Sequence, residues 1–195
     1  MTANAKTEFA VLSSLLVVTR FADLYITYRL SPDLTSEANP LVSVLHFHWT
    51  GLIFISVLLC FLVGLCLYYD LFDRQTAYPS DTSLPFADFA PIHWFGRKRH
   101  VLFFLLAFAK NWDLRIKYIG FAGTRLLIFS GMVAVLSWLG LAYSAAFEAF
   151  YSNWFPVFPY GFVVIGAVFL LYLFLQREYV VYRDQHEATR TIEPE

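Results

Sequence analysis

Four stretches of the chain stay apolar for about 20 residues or more, at roughly 9–30, 50–72, 118–147 and 156–176. Polar, charged or proline-containing segments separate them. A helix of about 20 residues crosses a hydrocarbon core about 30 Å thick, so each stretch is long enough to span a bilayer. Lipid offers the backbone no hydrogen-bond partners, and an isolated span satisfies its own N–H and C=O groups only as a helix. None of the stretches alternates apolar and polar residues in the manner of a membrane barrel strand. The pattern therefore predicts an all-α integral membrane protein with four transmembrane helices, forming a single membrane domain over 1–195. The third stretch would rise about 45 Å as a helix, so it has to tilt or protrude.

Composition agrees, since 58% hydrophobic and only 15% charged residues leave too little polar material to cover a soluble globule. The formal net charge of -1, with scattered basic residues, excludes a phosphate-tracking surface and hence nucleic acid as a partner. The lysines and arginines set the orientation. Arg74, Arg97, Lys98, Arg99, Lys110, Arg115 and Lys117 fall in the loop at about 73–117, and Arg177, Arg183 and Arg190 in the tail at about 177–195. The Ser31–Trp49 and Glu148–Phe155 connections carry no lysine or arginine. Basic residues mark cytoplasmic segments, which predicts both termini inside and both connections outside. The hydrophobic run after Lys6 leads into Thr19, Arg20 and Asp23 rather than a small-residue cleavage site, so it is expected to be a retained anchor. A prokaryotic cytoplasmic membrane is the expected location.

Within the long loop, Val101–Ala109 is apolar but too short to span, and basic residues bracket it. An interfacial or re-entrant segment at about 99–110 is expected, with Arg97, Lys98 and Arg99 on anionic lipid headgroups. His93 and His100 flank this cluster and belong to the same lipid-facing reading. Arg125 is expected to snorkel or to meet a headgroup. Cys60 and Cys66 are separated by about 9 Å of helical rise and cannot bridge each other.

Charge inside the first span calls for explanation, because an ionisable group at membrane depth costs roughly 3 kcal/mol on insertion scales. Arg20, Asp23 and Thr27 are spaced by three and four residues and share one helical side. The stripe leads toward Asp33, Glu37 and Asn39 in the following connection, where Asn39 before Pro40 is expected to open a helix with Glu37 at its positive end. Arg20 and Asp23 would neutralise each other and hold the first helix in register. Glu37, His46 and His48, joined by Asp23 or Asp33, offer oxygen and imidazole ligands for a divalent ion such as zinc. His46 and His48 would diverge by about 200° on a helix and share a side only if extended.

Asp23 and Thr27, followed by Glu37-Ala38-Asn39-Pro40, resemble the Asp-x3-Thr and Glu-x-Asn-Pro pattern of a family of small, uncharacterised prokaryotic membrane proteins. The resemblance covers roughly the first two spans and implies no activity. Glycine-rich phosphate loops, nucleophile elbows, zinc helices and paired-cysteine frameworks are missing from the sequence. Three readings follow. The first is a non-enzymatic binding or assembly component that uses the first span and outer loop, with lipids, a membrane-protein partner or a second copy as its contacts. The second is a metal-assisted hydrolase acting on a lipid-like substrate. The third is ion or proton transfer along the Asp23 stripe, which is weakened by the expectation that no other span holds a comparable buried carboxylate.

Overall fold

The computed structural model describes residues 3–34, 42, 45–73, 76–81, 83–100, 109–154 and 157–190. Among the described residues there is no strand. The helices are α1 (Ala3–Leu30), α2 (Trp49–Phe72), α3 (Phe86–Phe95), α4 (Trp112–Tyr118), α5 (Thr124–Tyr143), α6 (Ala145–Trp154) and α7 (Val157–Arg190). A π turn at Ile119–Gly123 joins α4 to α5 in one continuous rod. Four rods are long and apolar enough to cross a membrane, at Asn4–Leu30, Trp49–Phe72, Trp112–Tyr143 and Gly161–Gln185.

The helices outrun the apolar stretches because hydropathy ends where charge begins, whereas helix propensity does not. Lys6 and Glu8 lie inside α1, Asp113, Arg115 and Lys117 inside α4, and Arg177 to Arg190 inside α7. Gln, Arg, Glu and Ala are all good helix formers. At 34 residues α7 rises about 51 Å, some 20 Å more than the hydrocarbon core.

The rods alternate in direction. Phe9, near the start of α1, meets the rings of Tyr68 and Phe72 at the end of α2, with centroids 5.9 and 5.8 Å away. The end of α2 in turn meets Arg177 in the second half of α7. Phe121 packs on Phe174, while Leu126 lies against Gly166. One end of the bundle, here called the base, therefore gathers the start of α1, the end of α2, α4 and α7 from about Leu171 onward.

Two glycines set the helix spacing. At Gly131 an added Cβ would stand 3.1 Å from the Thr19 Cβ, so α1 lies close along α5. At Gly120, in the π turn, an added Cβ would overlap the Cys66 carbonyl and stand 2.7 Å from the Leu67 nitrogen. There α2 crosses the third rod backbone to backbone. The Thr124 hydroxyl donates to the Gly120 carbonyl at 2.7 Å, supplying a partner within the widened turn.

The principal buried cluster sits at the base. Ala90 and Trp94 of α3 pack with Leu114, Phe121, Leu171, Phe174 and Leu175. Elsewhere Phe21, Phe54, Met132 and Ile165 point outward, as a lipid environment requires. Gly96 ends α3 with φ of 73°, and the Lys110 amide donates to the Trp94 carbonyl at 2.7 Å. Val101–Phe108, the heart of the expected interfacial segment, lies outside the described residues.

A charged cavity at the base of the bundle

Asp70 occupies the last turn of α2, two residues before Phe72, and its side chain is 0% exposed. Burying a carboxylate this way is tolerable only with a close cation and complete hydrogen bonding. Arg177 of α7 supplies both, its two terminal nitrogens donating to the two Asp70 oxygens, one of them at 2.9 Å. The same guanidinium donates to Glu178 Oε1 at 3.1 Å and lies 5.0 Å from the ring centres of Phe121 and Phe174. Such a fork of N–H groups stacked on aromatic faces suits arginine and not lysine.

Glu178, 6% exposed, accepts a second bond at Oε2 from the Tyr78 hydroxyl at 3.0 Å. Lys117 is buried beside this group. Its ammonium donates to Thr76 Oγ1 at 2.7 Å, lies 3.4 Å from Asp113 and sits over the Tyr69 ring. At the edge, Arg125 bridges α5 to α1 by donating to Glu8 at 2.8 Å. Glu8, Asp70, Thr76, Tyr78, Lys117, Arg177 and Glu178 border a cavity of about 430 Å³ between α1, α2, α4 and α7.

The segment before α3 is tied to α7 by tyrosines. Tyr182 donates to the Asp81 carbonyl, Tyr179 donates to the Leu84 carbonyl at 3.2 Å, and Tyr78 closes on Glu178. His93 is stacked between Tyr78 and Phe89, with ring centres 5.3 and 4.9 Å away. Its side chain is 1% exposed and its Nε2, which has no hydrogen-bond partner, faces Glu178 Oε2 across 3.9 Å. Burial pushes the imidazole from 6.5 down to about 4, against a smaller opposing pull from Asp113. Burial together with the Glu178 carboxylate pushes the Tyr78 hydroxyl up.

These positions imply a pH dependence. A histidine buried in its neutral form contributes stability that is fully present above 6.5 and is lost as pH falls toward about 4, because the unfolded chain takes up the proton first. The docking of α3 should weaken by at most about 3 kcal/mol over that interval. A His93→Phe protein, which keeps the ring stack, should show a flatter profile from pH 7 to 4 in thermal unfolding. Parallel profiles for the two proteins would refute this.

The first-span residues do a different job. Arg20 lies 3.4 Å from Asp23 and donates to the Leu127 carbonyl and the Ser130 hydroxyl, so the pair faces α5. Thr27 is buried, while Asp33 is exposed. Glu37 and Asn39 lie outside the described residues. His46 and His48 are both exposed, and among the described residues no group of three His, Cys, Asp or Glu is arranged to hold a metal. Arg97 and Lys98 are exposed, Lys98 pairing with Asp88 at 3.0 Å, and Arg99 lies over the Phe95 ring.

Three expectations need correction. His93 is enclosed by aromatic rings and does not face lipid with His100. Arg125 meets Glu8, which α1 carries to it because the helix begins well before the apolar run. Buried carboxylates also exist outside the first span, at Asp70 and Glu178. Asp70 was visible as the sole acid in the second apolar stretch, with no intrahelical basic partner three or four positions before it. Glu178 lies beyond the end of the fourth apolar stretch, and nothing in the linear pattern pairs it with Tyr78.

The architecture defines an integral membrane protein built on a four-helix bundle, with a charged cavity at one end. No family model, curated protein or solved structure matches the chain. The short likeness at Asp23, Thr27 and 37–40 therefore carries no functional argument here.

Proposed function

We propose that the chain is a non-enzymatic binding component of a prokaryotic cytoplasmic membrane, with both termini on the cytoplasmic side and the base cavity as its ligand site. The observation that carries this reading is the cavity of about 430 Å³ bordered by Asp70, Arg177, Glu178 and Lys117, each fixed by charged or hydrogen-bonded neighbours. That volume lies within the range of small-molecule pockets, and the fixed groups provide preformed polar recognition. The mutual bonding of these groups favours binding over acid–base chemistry. Lys6, Arg97, Lys98, Arg99, Lys110 and Arg115 belong to the base segments, which supports the cytoplasmic orientation and contact of that end with anionic headgroups. In this reading Arg20 and Asp23 assemble α1 against α5, and recognition belongs to the base.

The test is a thermal-unfolding screen of the protein in lipid nanodiscs against small amines, carboxylates and polyols. At least one class should raise the midpoint of the wild-type protein and leave that of Glu178→Gln unmoved. No shift by any class would refute the reading.

A further inference from the structure

We infer that the surface where α3 ends and the third rod begins docks anionic phospholipid headgroups, with Lys110, Trp112 and Arg115 at its centre and Arg97 and Arg99 beside them. This deepens the headgroup contact proposed above and rests on the same cytoplasmic orientation, but not on the cavity. The two faces of α4 keep the surface and the cavity apart. Asp113 and Lys117, four residues apart, pair on the face toward α2, where Lys117 meets Thr76 and the Tyr69 ring and borders the cavity. Trp112 and Arg115, three residues apart, share another face. There the guanidinium lies 4.9 Å from an indole ring centre, and Trp112 is 69% exposed.

Local geometry gathers basic groups on this second face. Arg115 Nε donates to the Ala109 carbonyl at 2.6 Å, which holds the guanidinium against the residue before Lys110. The Lys110 amide donates to the Trp94 carbonyl, and its side chain runs over Gly96, where an added Cβ would stand 3.1 Å from Nζ. That ammonium therefore rests beside the backbone that leads into Arg97. Arg99 lies over the Phe95 ring one turn back. Arg97, Lys98, Arg99, Lys110 and Arg115 thus place five cations around one junction, where Asp88 pairs with Lys98. Such a surface complements phosphate in charge. The sequence also sets its depth, because Val101–Phe108, which the basic residues bracket, is apolar throughout. Trp112 opens the apolar rod Trp112–Tyr143. An indole with lysine and arginine at the start of a span belongs at headgroup level, and cations there attract anionic lipid.

The probe is brominated phosphatidylglycerol, titrated against brominated phosphatidylcholine in phosphatidylcholine nanodiscs that hold the full chain. Bromine quenches indole fluorescence on contact, and the Trp112 contribution is the difference between each protein and its Trp112→Phe counterpart. The anionic lipid should half-quench that contribution at a mole fraction about fivefold lower than the zwitterionic one, the equivalent of one headgroup charge contact. Lys110→Gln combined with Arg115→Gln should abolish the preference, and Arg97→Gln combined with Arg99→Gln should reduce it. Should the first pair fail to fold, the second decides. Equal quenching by the two lipids would overturn the inference and leave the cavity reading, which the thermal screen tests separately, standing. A preference retained by both pairs of variants would place the anionic lipid elsewhere and overturn it. Loss of the preference on adding inorganic phosphate at constant ionic strength would assign the surface to free phosphate and also overturn it.

Discussion

Gly120→Ala should remove about 3 kcal/mol of stability or prevent the bundle from forming. The added Cβ meets the Cys66 carbonyl and the Leu67 nitrogen, and backbone atoms within a helix have no rotamer through which to withdraw. Either α2 moves away from the third rod or the π turn rewinds, and both disturb the packing of Phe121 beside it. This places the substitution at the upper end of overpacking costs. Gly64 of α2 is the control, since its added Cβ would meet nothing within 4 Å. Gly64→Ala should stay within about 1 kcal/mol of the parent protein. Reversible unfolding in mixed micelles measures both, and equal stability of the two variants would show that α2 and the third rod do not meet at Gly120.

Removing the Arg177 charge should be comparably damaging. Arg177→Gln leaves Asp70 and Glu178 buried without their shared cation and loses the stack on Phe121 and Phe174. Breaking a buried pair from one side costs about 3–5 kcal/mol, and the lower figure applies here because the arginine side chain is 34% exposed. Arg177→Lys should fall between, keeping the charge without the two-pronged contact. Adding Asp70→Asn to Arg177→Gln should recover part of the loss, because the orphaned carboxylate is then neutral. Unfolding free energies of the single and double variants provide the check.

The membrane class and the existence of four spans were readable from hydropathy, since a rod facing lipid advertises itself through apolar length. The base was much less legible. Its carboxylates find their partners across long sequence separations, Asp70 with Arg177 and Tyr78 with Glu178, and no local spacing rule links such positions. Arg20 and Asp23 stand out because they interrupt an apolar run and sit three residues apart, the kind of pairing that helical periodicity does expose. That pairing is used to join α1 to α5. The charged end of α7 reads as a cytoplasmic tail for the same reason, as sequence does not show that Phe86, Phe89 and His93 fold back to cover it. Asp70 is the one available clue, the sole acid in the second apolar stretch, although Arg74 four positions later offers it a local partner on paper.

The meeting of Asp70 and Arg177 in the interior is the contact on which the cavity, its charge and its proposed binding role all depend. A double-mutant cycle on Asp70→Asn and Arg177→Gln in reconstituted protein measures it most directly. The double variant should lose about 2 kcal/mol less than the two single losses combined. Losses that add to within about 0.5 kcal/mol would mean that the two residues do not meet, and the account of the base cavity would then be wrong.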